Sequence, residues 1–211
     1  MRRSAAQTRL RILDAAYGLF WRQGFLRVSM DEVAARAGIT KRALYQHFKS
    51  KDALLAATLS YSSELALERL RQFQMPVTTG DELIESFFAQ LHDWARKPKY
   101  SGGGFTRAVV ELADLRGHPA RAIARKHKSE VEKWLADKFT ATGTLAPGDH
   151  AREVMLLMEG AMVLMLILGD PGWAHAAAQA AKRLLRTDAA GTVSHRNAKA
   201  RGLRLGLQPK R

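Results

Sequence analysis

Lys41, Arg42, Tyr45, Gln46 and His47 crowd one short segment of the chain. Ammonium and guanidinium groups meet phosphate oxygens. A carboxamide, a guanidinium and a flat phenol ring suit base edges exposed in a major groove. Nothing comparable points to bond-making chemistry. The sequence has no GxSxG, no HExxH and no glycine-rich turn after a strand. Its histidines, at 47, 92, 118, 127, 150, 175 and 195, include no pair spaced i, i+4, and His127 with Glu130 at i, i+3 is a spacing common by chance. The absence of cysteine excludes a disulfide framework, a thiolate zinc site, an iron–sulfur cluster and a cysteine nucleophile. The expectation is a binding protein, with no enzymatic activity, no cofactor and no metal.

The elements that position those side chains read as helices throughout, because apolar residues recur at helical spacing and no strand-like alternation is sustained. A first helix is predicted from about Ala5 to Gln23, with Ile12, Ala16, Leu19 and Phe20 inward and Gly24 ending it. Ser29 and Glu32 form a capping box for a second helix, which Gly38 closes. Thr40 caps a third helix running to about His47. Ser50 caps a fourth, reaching about Phe73. Val33, Ala34, Ala37, Ile39, Leu44 and Phe48 pack together and set the angle between the second and third helices. Ala37-Gly38-Ile39-Thr40 is the turn of a helix-turn-helix. Further helices are expected near 81–97, 104–115, 119–142, 149–168 and 172–186, for about nine in an all-α fold.

The segment from Phe20…Gly24-Phe25 through Ser29-Met30-Asp31-Glu32-Val33-Ala34, Ala37-Gly38-Ile39-Thr40, Leu44-Tyr45-Gln46-His47-Phe48 and Ser50-Lys51-Asp52-Ala53-Leu54 resembles the TetR (tetracycline-repressor-type) family of transcriptional regulators. The resemblance covers about the first quarter of the chain. It implies a homodimer with two helix-turn-helix heads on a palindromic double-stranded operator, released by a small-molecule effector. Carried over by position, Ser29 and Thr40 correspond to phosphate-contacting caps. Lys41, Arg42 and Tyr45 correspond to groove contacts, and His47 and Lys51 to backbone clamps. Ala43 and Gln46 complete the DNA-facing set. The family often has glycine where this chain has Arg42, so Arg42 either reads a guanine edge or holds a phosphate.

The organisation that follows is a DNA-binding domain over 1–51, a helical effector-binding and dimerisation domain over 52–186, and a basic tail over 187–211, expected to be disordered. Met155, Met158, Met162 and Met165 form one stripe of a helix. Leu157, Ala161, Leu164 and Leu168 form another, so this helix faces either its own core or a partner. With the last helix (Ala174, Ala177, Ala178, Ala181, Leu184, Leu185) it is expected to build a four-helix interface between two chains. Phe88, Leu91, Trp94, Phe105, Val109, Leu112, Trp134 and Met158 are either plain core or the wall of a pocket for an apolar or aromatic effector. His92, Asp93, Arg107, Glu111 and His127 are polar groups able to orient it. Ser101-Gly102-Gly103-Gly104 is either an anion-binding turn or a mobile one.

The chain has 34 Lys+Arg against 20 Asp+Glu, a formal net charge of +14. The excess is +8 over 1–51, +1 over 52–186 and +5 over 187–211. A near-neutral body with basic ends fits a polyanion binder. Arg2, Arg3, Arg9 and Arg11 either reach the minor groove as an arm or remain solvated. The longest apolar run, Met155 to Leu168, contains Glu159 and falls short of the roughly 20 residues of a membrane span. No secretory leader is evident, so a cytoplasmic protein without membrane contact is expected. Two other readings fit the same residues: a constitutive or architectural DNA binder, and a helical ligand-carrier or interaction module that no longer binds specific DNA.

Overall fold

In the computed structural model, residues 4–72, 77–98, 100–115 and 117–187 are described. Among them the chain is all-α, with nine helices and no strand: α1 (Ala5–Gln23), α2 (Met30–Ala37), α3 (Lys41–His47), α4 (Lys51–Arg71), α5 (Gly80–Ala95), α6 (Gly104–Glu111), α7 (Pro119–Ala141), α8 (Pro147–Leu168) and α9 (173–187). No helix of the described residues is long and apolar enough to cross a membrane. Arg2, Arg3 and the tail beyond 187 lie outside the described residues.

The helix ends follow from local chemistry. Ser4, Ser29, Thr40 and Ser50 each accept the amide hydrogen three residues on, satisfying a donor that the first turn leaves orphaned. Gly38 closes α2 at φ +61°, where a side chain would be strained, and the next amide, Ile39 N–H, reaches back to Ala34 O at 3.0 Å. The helix expected over 104–115 stops at Glu111. Past Leu112 the chain tightens into short turns, with Ala113 N–H on Val110 O and Leu115 N–H on Leu112 O.

The chain divides into two units, one of residues up to 74 with 96–131, the other of 75–95 with 132 onward. In the first, Ile12, Ala16, Phe20, Phe25, Val33, Leu44, Leu54 and Leu59 form one core with Phe105, Ala108 and Leu112 of α6 and Ala120 and Ala124 of α7. The helix-turn-helix therefore shares its core with residues far along the chain.

In the second unit α5 packs on α8. Leu83, Ile84, Phe87 and Phe88 are buried there, as are Leu135, Phe139, Val154, Met158, Met162 and Met165. Ala174, Ala177, Ala178 and Ala181 of α9 are also buried within the single chain. The small-residue face expected at a subunit interface is thus occupied at home. Met158, Met162 and Met165 face inward, and Met155, Leu157 and Leu164 are half-buried. Leu156, Val163, Ile167 and Leu168 are exposed on α8 instead. Arg186 Nη2 bonds Asp81 Oδ2 at 2.6 Å, and Lys182 pairs with Glu85, tying α9 to α5.

Candidate nucleic-acid interface

The site is built from α2, α3 and the start of α4. Glu32 Oε2 accepts the Ser29 amide at 2.7 Å and its hydroxyl at 2.8 Å, while Ser29 Oγ accepts the Glu32 amide at 3.2 Å. The Ser29 backbone amide, then its hydroxyl, hold the Glu32 carboxyl below the ordinary carboxylate range. Ser29 has therefore already donated its hydroxyl hydrogen. Thr40 Oγ1 accepts the Ala43 amide at 3.1 Å, which leaves its own hydroxyl hydrogen able to point outward.

On α3, Leu44 and the following Phe48 are buried, which turns Lys41, Arg42, Tyr45 and Gln46 outward. Ala43 and His47 are half-buried beside them. Tyr45 is 39% exposed, so its ring is part packed and part presented. Lys41 Nζ bonds Asp31 at 2.9 and 3.0 Å, and that hydrogen bond raises the Lys41 pKa. Lys51 Nζ donates to Leu26 O at 2.7 Å and so braces the α1–α2 loop, with two further N–H groups on the ammonium.

Arg9 and Arg11 belong to α1 and not to an arm. The Arg9 guanidinium lies 4.5 Å from the Phe48 ring centroid, a cation–π contact. Arg11 Nη2 donates to Ala37 O and, at 3.4 Å, to Gly38 O, a cation capping the carbonyl end of α2.

α6 holds the same head from the other side of its core. Arg107 Nη1 donates to Trp21 O at 3.1 Å, an orphaned carbonyl of the last turn of α1. Arg107 Nε meets Glu111 Oε1 at 2.6 Å, and Glu111 Oε2 accepts the amides of Phe25 and Leu26 at 2.7 and 3.3 Å. Arg107 and Glu111 are thus engaged with the head, not held open for a ligand. His127 is likewise occupied: its ring stacks on Phe105 at 3.9 Å and Nδ1 lies 3.0 Å from Ser63 Oγ. His92 faces its neighbour Asp93 at 3.4 Å. Of the Ser101–Gly104 turn, Gly102 has φ +73° and Gly104 lies against the Trp21 indole, so these glycines serve backbone shape and close packing. The i, i+4 pairing of Arg107 with Glu111 is visible in the sequence; the backbone groups it serves, some 86 positions away, are not.

The candidate effector residues fall into two sets. Phe105 and Val109 line one groove of the first unit, while Leu112 is in that unit's core. Phe88, Leu91, Trp94, Trp134 and Met158 belong to the second unit, where Phe88, Leu91 and Met158 are buried. Among the described residues, no group of three or more His, Asp or Glu side chains is placed to hold a metal ion.

A helix-turn-helix with capped helices, a buried inner face and a basic, polar outer face defines a DNA-binding regulator class. Residues 12–58 match the family described as bacterial regulatory proteins, tetR family. The HTH-type transcriptional regulator UidR of Escherichia coli (strain K12) is 36% identical over 171 residues, covering 80% of this chain and 82% of UidR. A TetR-family transcriptional regulator from Streptomyces coelicolor superposes with a TM-score of 0.76 at 24% identity, over 86% of this chain and 96% of that one. A TetR-type regulator from Streptomyces avermitilis does so with 0.70 at 27%, over 83% and 98%. The chain belongs to the TetR family of helix-turn-helix transcriptional regulators. Regulators of this family bind DNA, are dimers and take small-molecule effectors. The relatives are regulators of transcription and not enzymes.

Proposed function

We propose that this regulator is a homodimeric repressor that holds a palindromic operator and leaves it when a small molecule binds. The observation that carries this reading is the outer face of α3, where Lys41, Arg42, Tyr45 and Gln46 stand together over a fully buried Leu44. In this reading α3 enters the major groove. Arg42, Tyr45 and Gln46 meet base edges or the adjacent phosphates, with Ala43 allowing close approach. Ser29, Thr40, Lys41, His47 and Lys51 contact the sugar-phosphate backbone and fix the register. The exposed apolar stripe of α8 supplies the dimer contact. The protein would act in the cytoplasm, where its DNA is, and without catalysis.

Release is a matter of linkage. An effector that favours a head spacing unlike the operator's lowers DNA affinity by its differential affinity for the two states, typically about 1–3 kcal/mol. α4 leads out of the helix-turn-helix without a linker, and α6 is hydrogen-bonded to the head through Arg107 and Glu111. Both helices are therefore suited to carry the change.

Selection from random duplex DNA with the full-length protein at near-physiological salt tests the reading. A two-fold symmetric motif is expected. Retention without enrichment that collapses as salt rises would mark an architectural binder, whose affinity is counterion release alone. No retention at all would mark a carrier or interaction module.

A further inference from the structure

A groove of about 360 Å³ runs along the first unit between α6 and the N-terminal part of α7. Its size lies in the range of small-molecule sites, with room for roughly a dozen water-sized groups at about 30 Å³ each. Phe105, Val109 and Ala124 form an apolar wall, and Arg121, Arg125 and Lys128 stand over it. No Asp or Glu lines the groove. The spacings of four and three residues put these cations on one stripe of α7, and between Pro119 and Ser129 that helix has no acidic residue. Like charges stacked on one helix face repel, and an anion seated among them removes that repulsion while pairing with two guanidinium forks. A wall that is apolar below and cationic above matches a molecule that is apolar at one end and anionic at the other.

We infer that this groove binds an anionic amphiphile, an aliphatic or aromatic body carrying a carboxylate, and that this is the chemical class of the effector. The inference rests on the reading of the chain as an effector-responsive regulator and gives its ligand a charge. Phe105 and Val109 hold the body, and Arg121 and Arg125 hold the carboxylate. The placement also gives the ligand a route to the head. Phe105 and Val109 stand on the same two turns of α6 as Gly104, Arg107 and Glu111, which contact Trp21, Phe25 and Leu26. A body wedged against α6 presses on the helix that braces the α1–α2 loop.

Calorimetric titration of the full-length protein with decanoate and 2-naphthoate, beside the neutral decan-1-ol and 2-naphthol and inorganic phosphate, tests this. At least one carboxylate should bind about ten-fold or more tightly than its neutral counterpart and than phosphate. Arg121→Gln with Arg125→Gln, both at exposed positions, should erase that advantage and leave the neutral compound's binding unchanged. Val110→Glu, at an exposed rim position, should weaken the carboxylate alone. Equal binding of neutral and anionic compounds, equal binding of phosphate, retention of the advantage in the double variant, or binding of neither carboxylate would overturn the inference. Operator binding by the same preparation keeps the two readings apart. Carboxylate binding without an operator removes the regulator reading, and an operator without carboxylate binding removes this one.

Discussion

The indole of Trp21 lies so close to Gly104 that a Cβ built on the glycine would stand 2.0 Å from Trp21 Cε2 and 2.2 Å from Cζ2 and Nε1. The start of α6 is thereby pressed onto the last turn of α1, where Trp21 also packs edge-on to Phe25 and Phe105. Gly104→Ala would gain at most about 1 kcal/mol of helix propensity, less at a first-turn position. Overpacking against a rigid indole costs about 1–3 kcal/mol. Net destabilisation is therefore expected in urea unfolding. Adding Trp21→Leu should make the glycine substitution nearly neutral in that background, a coupling that a double-mutant cycle reads directly. Additive effects would show that the two residues do not meet.

Glu111 offers a second test of the same contact. Its Oε2 accepts two amides that open the α1–α2 loop, and its Oε1 accepts Arg107. Glu111→Ala leaves the Phe25 amide without that acceptor beside a fully buried ring. A loss of about 1.5–3 kcal/mol is expected, the range for hydrogen bonds to a charged group. Glu111→Gln keeps a carbonyl acceptor and loses the ion pair, so it should cost less. Hydrogen exchange at the Phe25 and Leu26 amides should quicken in the alanine variant, and unchanged protection there would contradict the assignment.

These contacts mark the boundary of what the sequence makes legible. Ser29, Thr40 and Ser50 announce their helices because a cap is a local bargain between a side chain and an amide three residues on. Gly38 and the apolar set from Val33 to Phe48 fix the helix-turn-helix for the same reason: every interaction lies within one short segment. Trp21 with Gly104, and Phe25 with Glu111, are separated by more than eighty positions and leave no period to detect. Arg107 and Glu111 look in sequence like free polar groups on a sensor helix. On α8, periodicity shows that several faces are apolar but not which one the chain covers itself. The methionines turn inward, and Leu156, Val163 and Ile167 are left outside.

At the DNA-facing surface, Asp31 competes with phosphate for the Lys41 ammonium, which it holds at 2.9 Å. Asp31→Asn should release Lys41 and also remove a negative charge from the interface, so operator binding should tighten. Lys41→Ala should weaken it and make the salt dependence shallower by about 0.9 for the lost phosphate contact. Placed together, the asparagine substitution should help less than it does alone, because the lysine it frees is gone. Fluorescence anisotropy with operator DNA over a salt series measures all three. An Asp31→Asn gain undiminished by the loss of Lys41 would sink the competition.

The capping box predicts a pH dependence with a definite sign. Ser29 hydrogen bonds depress the folded-state pKa of Glu32 below its ordinary value of 4.5. The unfolded carboxyl titrates near that value. The stabilisation is therefore fully present above about pH 4.5 and is lost as pH falls through the lower folded pKa. Glu82, held by the amides and hydroxyls of Thr78 and Thr79 at the start of α5, behaves in the same direction. Urea unfolding followed from about pH 6 down to pH 3 should give the Glu32→Gln protein a shallower loss of stability than the parent. Parallel curves would show that the carboxylate form contributes nothing to the box.

Leu156, Val163 and Ile167 share one face of α8 and are 75%, 44% and 69% exposed, with Gly160 between them. Nothing lies within 4 Å of where a Cβ on Gly160 would point, so a second helix backbone can approach there closely. A two-fold dimer places the same stripe of both chains in contact, and each exposed leucine or isoleucine then gains a partner. Leu156→Glu with Ile167→Glu should therefore cost the single chain almost nothing, as exposed substitutions do, at about 0.5 kcal/mol or less each. The pair should halve the sedimenting mass at micromolar concentration, because four carboxylates would face one another across the axis. Helix content by circular dichroism should stay unchanged, which separates dissociation from unfolding. Operator binding should fall with the mass, since one head makes only half of the phosphate and base contacts. If the double variant keeps the parent's mass, α8 is not the dimer face, and another surface must bring the two heads together.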